Sequence, residues 1–306
     1  MRKKQIAVKF VCLAVVAASA LVASFSCPGA EPLRHVRVNG VELHYLEQGR
    51  GIPVLFVHGG LVDYRRWASQ IQPFGRHYRV ITYSRRYNFP NHNTPLDPVY
   101  SPAVDADDLA ALINKLQLGR VHVIGESYGA YTALFLAVHH PELVRNLVLA
   151  EAPMLRWLKS TPEGRVAFAD FQERLWQPVG RAFGGRDPGE AMKIIVSYFF
   201  NGATVDSIPA DVRTQLKANL REWQALTASR DAFPSLSREE VAGISAPTLL
   251  MGGQHTLLLH RLLDAQYAAL LPHNRRVIIP KATHEMWDEQ PVACAEAALT
   301  FLDRGK

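Results

Sequence analysis

Short apolar runs alternate with helical stripes along most of the chain. Continuous apolar runs of this length are typical of strands buried on both faces. They lie at residues 54–57, 78–82, 121–124, 147–150, 248–251 and 277–279. Between the runs, apolar residues recur at helical spacing, as at Leu109, Leu112, Ile113 and Leu116. The alternation predicts an α/β fold with a mainly parallel sheet and helices on both faces.

An antiparallel hairpin precedes this alternation. Residues 36–38 and 41–46 are strand-like and flank Asn39-Gly40, a strong signal for a two-residue turn. Together with the six apolar runs, the hairpin predicts an eight-stranded sheet.

The alternation stops between residues 153 and 246. This stretch is rich in aromatic and charged residues, with candidate helices near 163–182, 189–200 and 208–228. It is too long for a loop. We therefore predict a helical cap at 153–246, inserted into a core made of residues 31–152 and 247–306.

The first 30 residues resemble a secretory signal peptide. A basic start is followed by an almost wholly apolar stretch, and no acid occurs before Glu31. Cleavage is expected after Ser26 or Ala30, which predicts an exported protein, periplasmic or secreted. The alternative is an uncleaved anchor at the membrane, although the apolar stretch is short for a span.

Charge and cysteine usage exclude several classes of protein. The formal net charge is +6, but the leader contributes +4 through Arg2, Lys3, Lys4 and Lys9, so nucleic-acid binding is not predicted. Three arginine pairs, at 65–66, 85–86 and 275–276, are interpreted as lying on solvated faces. Cys12, Cys27 and Cys294 form neither a disulfide framework nor a metal motif. No cofactor or metal is predicted, and Cys294 is expected to be buried in a terminal helix.

The strongest chemical signal is Gly125-Glu126-Ser127-Tyr128-Gly129, which matches G-x-S-x-G between an apolar strand and an amphipathic helix. Such a turn leaves a serine hydroxyl exposed at the start of a helix, where negative charge is stabilised. Ser127 is the predicted nucleophile.

His58-Gly59-Gly60 follows the strand at 54–57. A glycine pair there can present backbone N–H groups to a substrate oxygen, so Gly60 and Tyr128 are predicted to form an oxyanion hole. His58 itself is interpreted as structural.

His284 lies just after the last apolar run. It is predicted to accept the proton of Ser127 and to protonate the leaving group. The carboxylate that orients it is predicted to be Glu151, which directly follows the run at 147–150, because residues 252–256 contain no acid. The alternative is that Glu151 pairs with an arginine of the cap, such as Arg156, and the serine and histidine act as a dyad.

These motifs resemble the α/β-hydrolase superfamily over residues 36 to 303. Residues 149–153 are similar to a subset whose catalytic acid follows the strand before the cap, and the resemblance supports Glu151. A serine nucleophile implies acyl transfer rather than dehalogenase or epoxide hydrolase chemistry. We therefore expect a serine hydrolase that cleaves an ester-type bond in a small or medium hydrophobic substrate, a small-molecule acyl compound. The alternatives are a ligand-binding or signalling protein on this scaffold and a cofactor-free haloperoxidase-like enzyme.

Overall fold

The computed structural model describes residues 32–200 and 202–303. The predicted signal peptide lies outside the described residues. Those residues form one eight-stranded sheet, in the order β1-β2-β4-β3-β5-β6-β7-β8. Its strands are β1 (Arg34–Val38), β2 (Val41–Gln48), β3 (Pro53–Val57), β4 (Arg79–Tyr83), β5 (Val121–Glu126), β6 (Val144–Ala150), β7 (Thr248–Gly253) and β8 (Asn274–Ile279). From β4 to β8 in this order all neighbours are parallel, and β2 pairs antiparallel with both β1 and β4. The predicted fold class is confirmed.

The hairpin forms at the predicted turn. Val38 pairs with Val41, and both Asn39 and Gly40 have positive φ angles, 47° and 77°. Two successive positive φ angles define a type I′ turn, which matches the twist of the flanking strands.

Helices cover the sheet and fill the predicted insertion. They are α1 (Ala68–Gly75), α2 (Pro102–Lys115), α3 (Tyr128–His139), α4 (Pro162–Phe171), α5 (Gln177–Gly184), α6 (Pro188–Phe199), α7 (Ala210–Ala228), α8 (Arg238–Ala242), α9 (Leu258–Leu270), α10 (Met286–Glu289) and α11 (Pro291–Asp303). Helices α4 to α8 lie between β6 and β7, and we call that segment the insertion. A turn of π-helix at Gln172–Trp176 connects α4 and α5. None of the helices described here combines the length and apolar character needed to cross a membrane.

The core lies on both faces of the sheet. Along β3, Leu55 and Val57 pack into a large apolar cluster that extends into the insertion. Val54 and Phe56 pack into a second cluster with residues of α1 and α11. Successive side chains of a strand point to opposite faces, so a short apolar strand contributes to both layers. Cys294 is buried in the second layer, as predicted.

The interpretation of the arginine pairs as solvated is wrong for three of the six residues. Arg66, Arg85 and Arg86 are buried, and each donates to buried carboxylates. A buried guanidinium is tolerated when its N–H groups are paired in this way. The predicted exposure is confirmed for Arg65, Arg275 and Arg276.

Candidate active site

Ser127 lies in the tight turn between β5 and α3. Its φ and ψ are 50° and −120°, a backbone conformation that non-glycine residues seldom adopt. The turn is possible because its neighbours lack side chains. A Cβ on Gly129 would lie 2.1 Å from the carbonyl oxygen of Val57, and one on Gly125 would lie 2.6 Å from the Cα of Ala130.

The loop after β3 lies directly against this turn. A Cβ on Gly59 would lie 3.4 Å from the Cβ of Ser127. Gly60 and Tyr128, the predicted oxyanion-hole residues, line the same cavity as Ser127. Tyr128 begins α3, so its N–H is among the amides that a helix leaves without an intrahelical partner.

His58 is structural, as predicted. The backbone N–H of Arg85 donates to His58 Nε2 over 3.0 Å, which leaves the Nδ1–H to donate to the carbonyl of Gly59 over 2.8 Å. Burial and the charge of Arg85 hold the pKa of His58 well below its ordinary value. The imidazole is therefore neutral and fixed, and it ties the loop after β3 to the loop after β4.

Glu151 and His284 are brought together at the carboxyl edge of the sheet. Glu151 follows β6 with a φ of 56°, and its buried carboxylate accepts from three donors. The Nδ1 of His284 donates to Oε2 over 2.5 Å, the hydroxyl of Thr256 to Oε2 over 2.7 Å, and the N–H of Gly253 to Oε1 over 2.8 Å. The carboxylate therefore fixes the imidazole with Nδ1 protonated and Nε2 available as a base.

The alternative pairing of Glu151 with Arg156 is wrong. Arg156 instead forms an exposed ion pair with Asp231 of the insertion. Within the described part of the chain, the carboxylate of Glu151 therefore has no arginine partner, and it bonds to His284.

Electrostatics reinforce the pair. Burial alone would lower the pKa of His284, but its hydrogen bond to Glu151 and the negative charges nearby raise that pKa to about 9. Burial would raise the pKa of Glu151, but the hydrogen bond to His284 and the positive charge of that imidazole lower it to about 2. Each partner favours the charged form of the other.

Ser127 and His284 line one cavity. Among the contacts of the described residues, no hydrogen bond joins the serine hydroxyl to the imidazole. Hydrogen bonds between catalytic groups are commonly long in ligand-free enzymes and tighten when substrate binds. The structure thus brings all five predicted site residues to one edge of the sheet.

His260 is a neighbour that the sequence did not reveal. Its ring stacks on His284, with centroids 4.2 Å apart and planes at 7°. Burial and the charge of His284 lower its pKa to about 3, so it packs as a neutral ring. No motif in the sequence around it marks it as a neighbour of the site.

Glu151, His260 and His284 also lie close enough together to be considered as metal ligands, with ligand atoms within 4.8 Å of one another. The lone pairs of an imidazole lie in its ring plane. Two parallel stacked rings therefore do not direct lone pairs at one point between them, and the Nδ1 of His284 is already bonded to Glu151. This arrangement suits a charge-oriented base better than a metal centre.

The cavity above Ser127 has a volume of about 230 Å³. Aromatic side chains of the insertion and its flanking loops form much of its wall, namely Phe171, Tyr198, Phe199, Phe200, Trp223 and Phe233. Four charged residues other than histidine also line it: Arg66, Glu126, Glu285 and Asp288. Arg66 donates to all three acids, so the charged part of the wall carries three carboxylates and one guanidinium.

Comparison with known proteins places this geometry in a family. The sequence profile of the alpha/beta hydrolase fold matches residues 52–291. The chain belongs to the alpha/beta hydrolase fold family. The matched span includes all five predicted site residues.

Relatives within the family are hydrolases. The 2-hydroxy-6-oxo-6-(2'-aminophenyl)hexa-2,4-dienoic acid hydrolase of Metapseudomonas resinovorans is 27% identical over 280 residues, which cover 89% of this chain and 91% of that protein. A thermophilic esterase from Thermogutta terrifontis superposes with a TM-score of 0.70 at 25% identity, covering 90% of this chain and 99% of the esterase. The enol-lactonase of Burkholderia xenovorans, at 21% identity, covers 88% of this chain and 100% of its own with a TM-score of 0.65, and shares the fold. The chain is accordingly an enzyme, a hydrolase of this fold.

Proposed function

We propose that the protein is a serine hydrolase that cleaves carboxylic esters of small or medium hydrophobic compounds through an acyl-enzyme on Ser127. The observation that carries the proposal is the hydrogen bond between Glu151 and His284 beside the strained turn of Ser127. That combination supplies a nucleophile and a base in one cavity, with an orienting carboxylate bonded to the base.

The proposed reaction has two halves. The Oγ of Ser127 attacks the ester carbonyl while Nε2 of His284 takes its proton, and the N–H groups of Gly60 and Tyr128 stabilise the resulting oxyanion. Collapse breaks the bond to the alcohol, which takes the proton from His284. Water then attacks the acyl-enzyme with the same base, releasing the acid and restoring the hydroxyl of Ser127.

The cavity wall supports a neutral, apolar substrate. Its aromatic side chains offer apolar surface to an acyl or alcohol group. Its charged part has a formal charge of −2, from three carboxylates and Arg66. A carboxylate on the substrate would be repelled there, which favours simple esters over acidic substrates such as the dienoic acid named for the Metapseudomonas relative.

Active-site labelling tests the mechanism. A fluorophosphonate probe should label the wild-type protein, and Ser127→Ala should abolish the label, because only an activated serine reacts at a useful rate. Ser160→Ala, which removes an exposed hydroxyl of the insertion, should keep it. A wild-type protein that is folded but unlabelled would instead favour a binding or signalling role.

Substrate panels test the specificity. We expect p-nitrophenyl esters of acyl chains of about two to eight carbons to be hydrolysed with the highest kcat/KM, since the cavity is small and apolar. Thioesters, amides and sugar esters serve as comparisons. A preference for charged or sugar-bearing substrates would overturn the specificity while leaving the serine mechanism intact.

A further inference from the structure

A buried carboxylate from the insertion holds the loop that carries Gly60. Glu222 of α7 is completely buried. Its Oε2 accepts from the backbone N–H of Leu61 over 2.7 Å and from Nδ2 of Asn88 over 2.9 Å. Its Oε1 accepts from Nη2 of Arg85 over 2.5 Å. Hydrogen bonds to a charged group in a buried setting are the strong ones.

The partners of Glu222 surround the predicted oxyanion hole. Leu61 follows Gly60 directly and has a φ of 61°, a conformation that side chains disfavour. The hydrogen bond from the N–H of Leu61 to Glu222 stabilises this conformation. It also fixes the direction of the peptide group between Gly60 and Leu61. The next residue of α7 adds a steric limit, because a Cβ on Gly60 would lie 3.2 Å from Nε1 of Trp223.

Arg85 extends the same network to the other side of the loop. Its Nη2 also donates to the carbonyl of Gly59 over 2.9 Å, and its Nη1 to Asp105 over 2.8 Å. Gly59 and Leu61, the residues on either side of Gly60, are thus bonded to Arg85 and Glu222, which are bonded to each other. The amide of Gly60 is fixed from both sides.

We infer that Glu222 is a positioning residue for the oxyanion hole, through which helix α7 of the insertion sets the direction of the Gly60 amide. The inference rests on the proposed serine mechanism. It assigns to the insertion a part in stabilising the transition state as well as in enclosing the substrate.

A purely structural ion pair would behave differently, and the chain contains one for comparison. Arg86 donates through Nε and Nη2 to the buried carboxylate of Asp108, over 2.8 Å each. Arg86 follows Arg85 in the loop after β4, Asp108 lies in α2, and neither residue lines the cavity. Asp108→Asn is therefore a matched control, since it neutralises one carboxylate of a buried pair without touching the loop around Gly60.

The test compares Glu222→Gln with Asp108→Asn. An amide cannot accept from Arg85, Leu61 and Asn88 as a carboxylate does, so we expect Glu222→Gln to lower kcat by about 10- to 100-fold, somewhat less than deletion of a whole oxyanion donor. KM should change little. The affinity for a boronic acid that mimics the tetrahedral intermediate should fall in parallel, while that for an amide analogue of the ground state should not.

The control and a direct readout of the loop decide the outcome. Asp108→Asn should lose thermal stability but keep kcat within about twofold of wild type. Hydrogen–deuterium exchange should become faster across residues 59–62 in Glu222→Gln and stay unchanged there in Asp108→Asn. Normal kcat and boronate affinity in a folded Glu222→Gln, or equal loss of kcat in the control, would overturn the inference.

A second variant covers the case in which Glu222→Gln does not fold. Glu222→Asp keeps the charge beside Arg85 but shortens the side chain, so it should withdraw from the N–H of Leu61 and lower kcat by a similar factor. A folded Glu222→Asp with full kcat would also overturn the inference. Failure of the wild-type protein to react with the fluorophosphonate would be a different result, because it removes the serine mechanism itself.

Discussion

Replacing Glu151 with glutamine keeps the shape of the side chain but removes one acceptor. The carboxylate accepts from Gly253, Thr256 and His284, whereas a glutamine offers a single acceptor oxygen. If its amide nitrogen faces Gly253, two N–H donors meet. If it faces His284, the imidazole must accept at Nδ1 and carry its proton on Nε2. That second tautomer cannot take the proton of Ser127, so Glu151→Gln should disable the base without removing it.

The two pKa values show how strongly Glu151 and His284 stabilise each other's charged forms. The pair raises the pKa of His284 from 6.5 to about 9 and lowers that of Glu151 from 4.5 to about 2. Each displacement corresponds to about 3 kcal/mol and is a net value, because burial opposes both shifts and the charges of Glu285 and Glu126 add to the shift of His284. In Glu151→Gln the hydrogen bond to a carboxylate and its negative charge are lost while burial of His284 remains, so the pKa of His284 should fall below its wild-type value. The plateau of kcat should fall by about 10²–10⁴.

The assay is the pH dependence of kcat/KM for a p-nitrophenyl ester, which reports ionisations of the free enzyme. In the wild type, kcat/KM should rise with pH in a limb centred near 9, where His284 becomes neutral. In Glu151→Gln, this limb should lie at lower pH, and kcat/KM should level off at a much lower value. Asp108→Asn is the control, because it removes a buried carboxylate that does not line the cavity, and the limb should stay in place. If the pH profile of Glu151→Gln coincides with that of the wild type and turnover is nearly full, the assignment of Glu151 as the orienting acid is refuted.

The same pair predicts how stability depends on pH. Because the pKa of Glu151 is lowered on folding, its contribution is complete above pH 4.5 and is lost as pH falls toward 2. Because the pKa of His284 is raised, its contribution is complete below pH 6.5 and is lost as pH rises through 9. Thermal unfolding across pH should show both losses in the wild type and neither in Glu151→Gln.

Three further predictions concern other parts of the chain. Gly129→Ala should lower Tm by many degrees or abolish folding, since its Cβ would lie 2.1 Å from a backbone carbonyl, whereas Gly184→Ala, with no atom within 4 Å, should unfold like the wild type; equal Tm values would contradict this packing. Asp288→Asn should raise kcat/KM for a carboxylate-bearing ester by about two- to fivefold relative to its neutral analogue, and an unchanged ratio would remove charge from the account of specificity. Mass spectrometry of the mature protein should find a new N-terminus after Ser26 or Ala30, and an intact leader would favour the membrane anchor.

Features set by neighbouring residues could be predicted from the sequence. The turn at Asn39-Gly40 and the glycines around Ser127 constrain the backbone within a few positions, and the structure follows them. The apolar strands could be predicted for the same reason, since a strand covered on both faces needs apolar side chains throughout. Parallel order then brings the ends of the strands, and the residues that follow them, to one edge of the sheet.

Features that depend on distant partners could not be predicted in this way. Arg85 is buried because Asp105 and Glu222 accept from it, and Glu222 lies 137 positions away in the chain. A pair of arginines in a loop is usually solvated. No local sequence pattern predicts that an acid from an inserted helix will pack against one of them. The stacking of His260 on His284 is hidden for the same reason.

The position of the acid shows how one geometry can be reached from two places in the sequence. β6 and β7 are adjacent parallel strands, with Ala150 paired to Met251, so residues that follow either strand lie about 4.8 Å apart at the same edge. Thr256 follows β7, where this family commonly has an aspartate, and its hydroxyl donates to the carboxylate of Glu151 from the neighbouring strand. The acid therefore lies about a hundred residues earlier in the chain than the common position, at the end of the neighbouring strand. Because His284 responds to where the carboxylate lies and not to which strand supplies it, the departure from the common sequence pattern leaves the orienting contact in place.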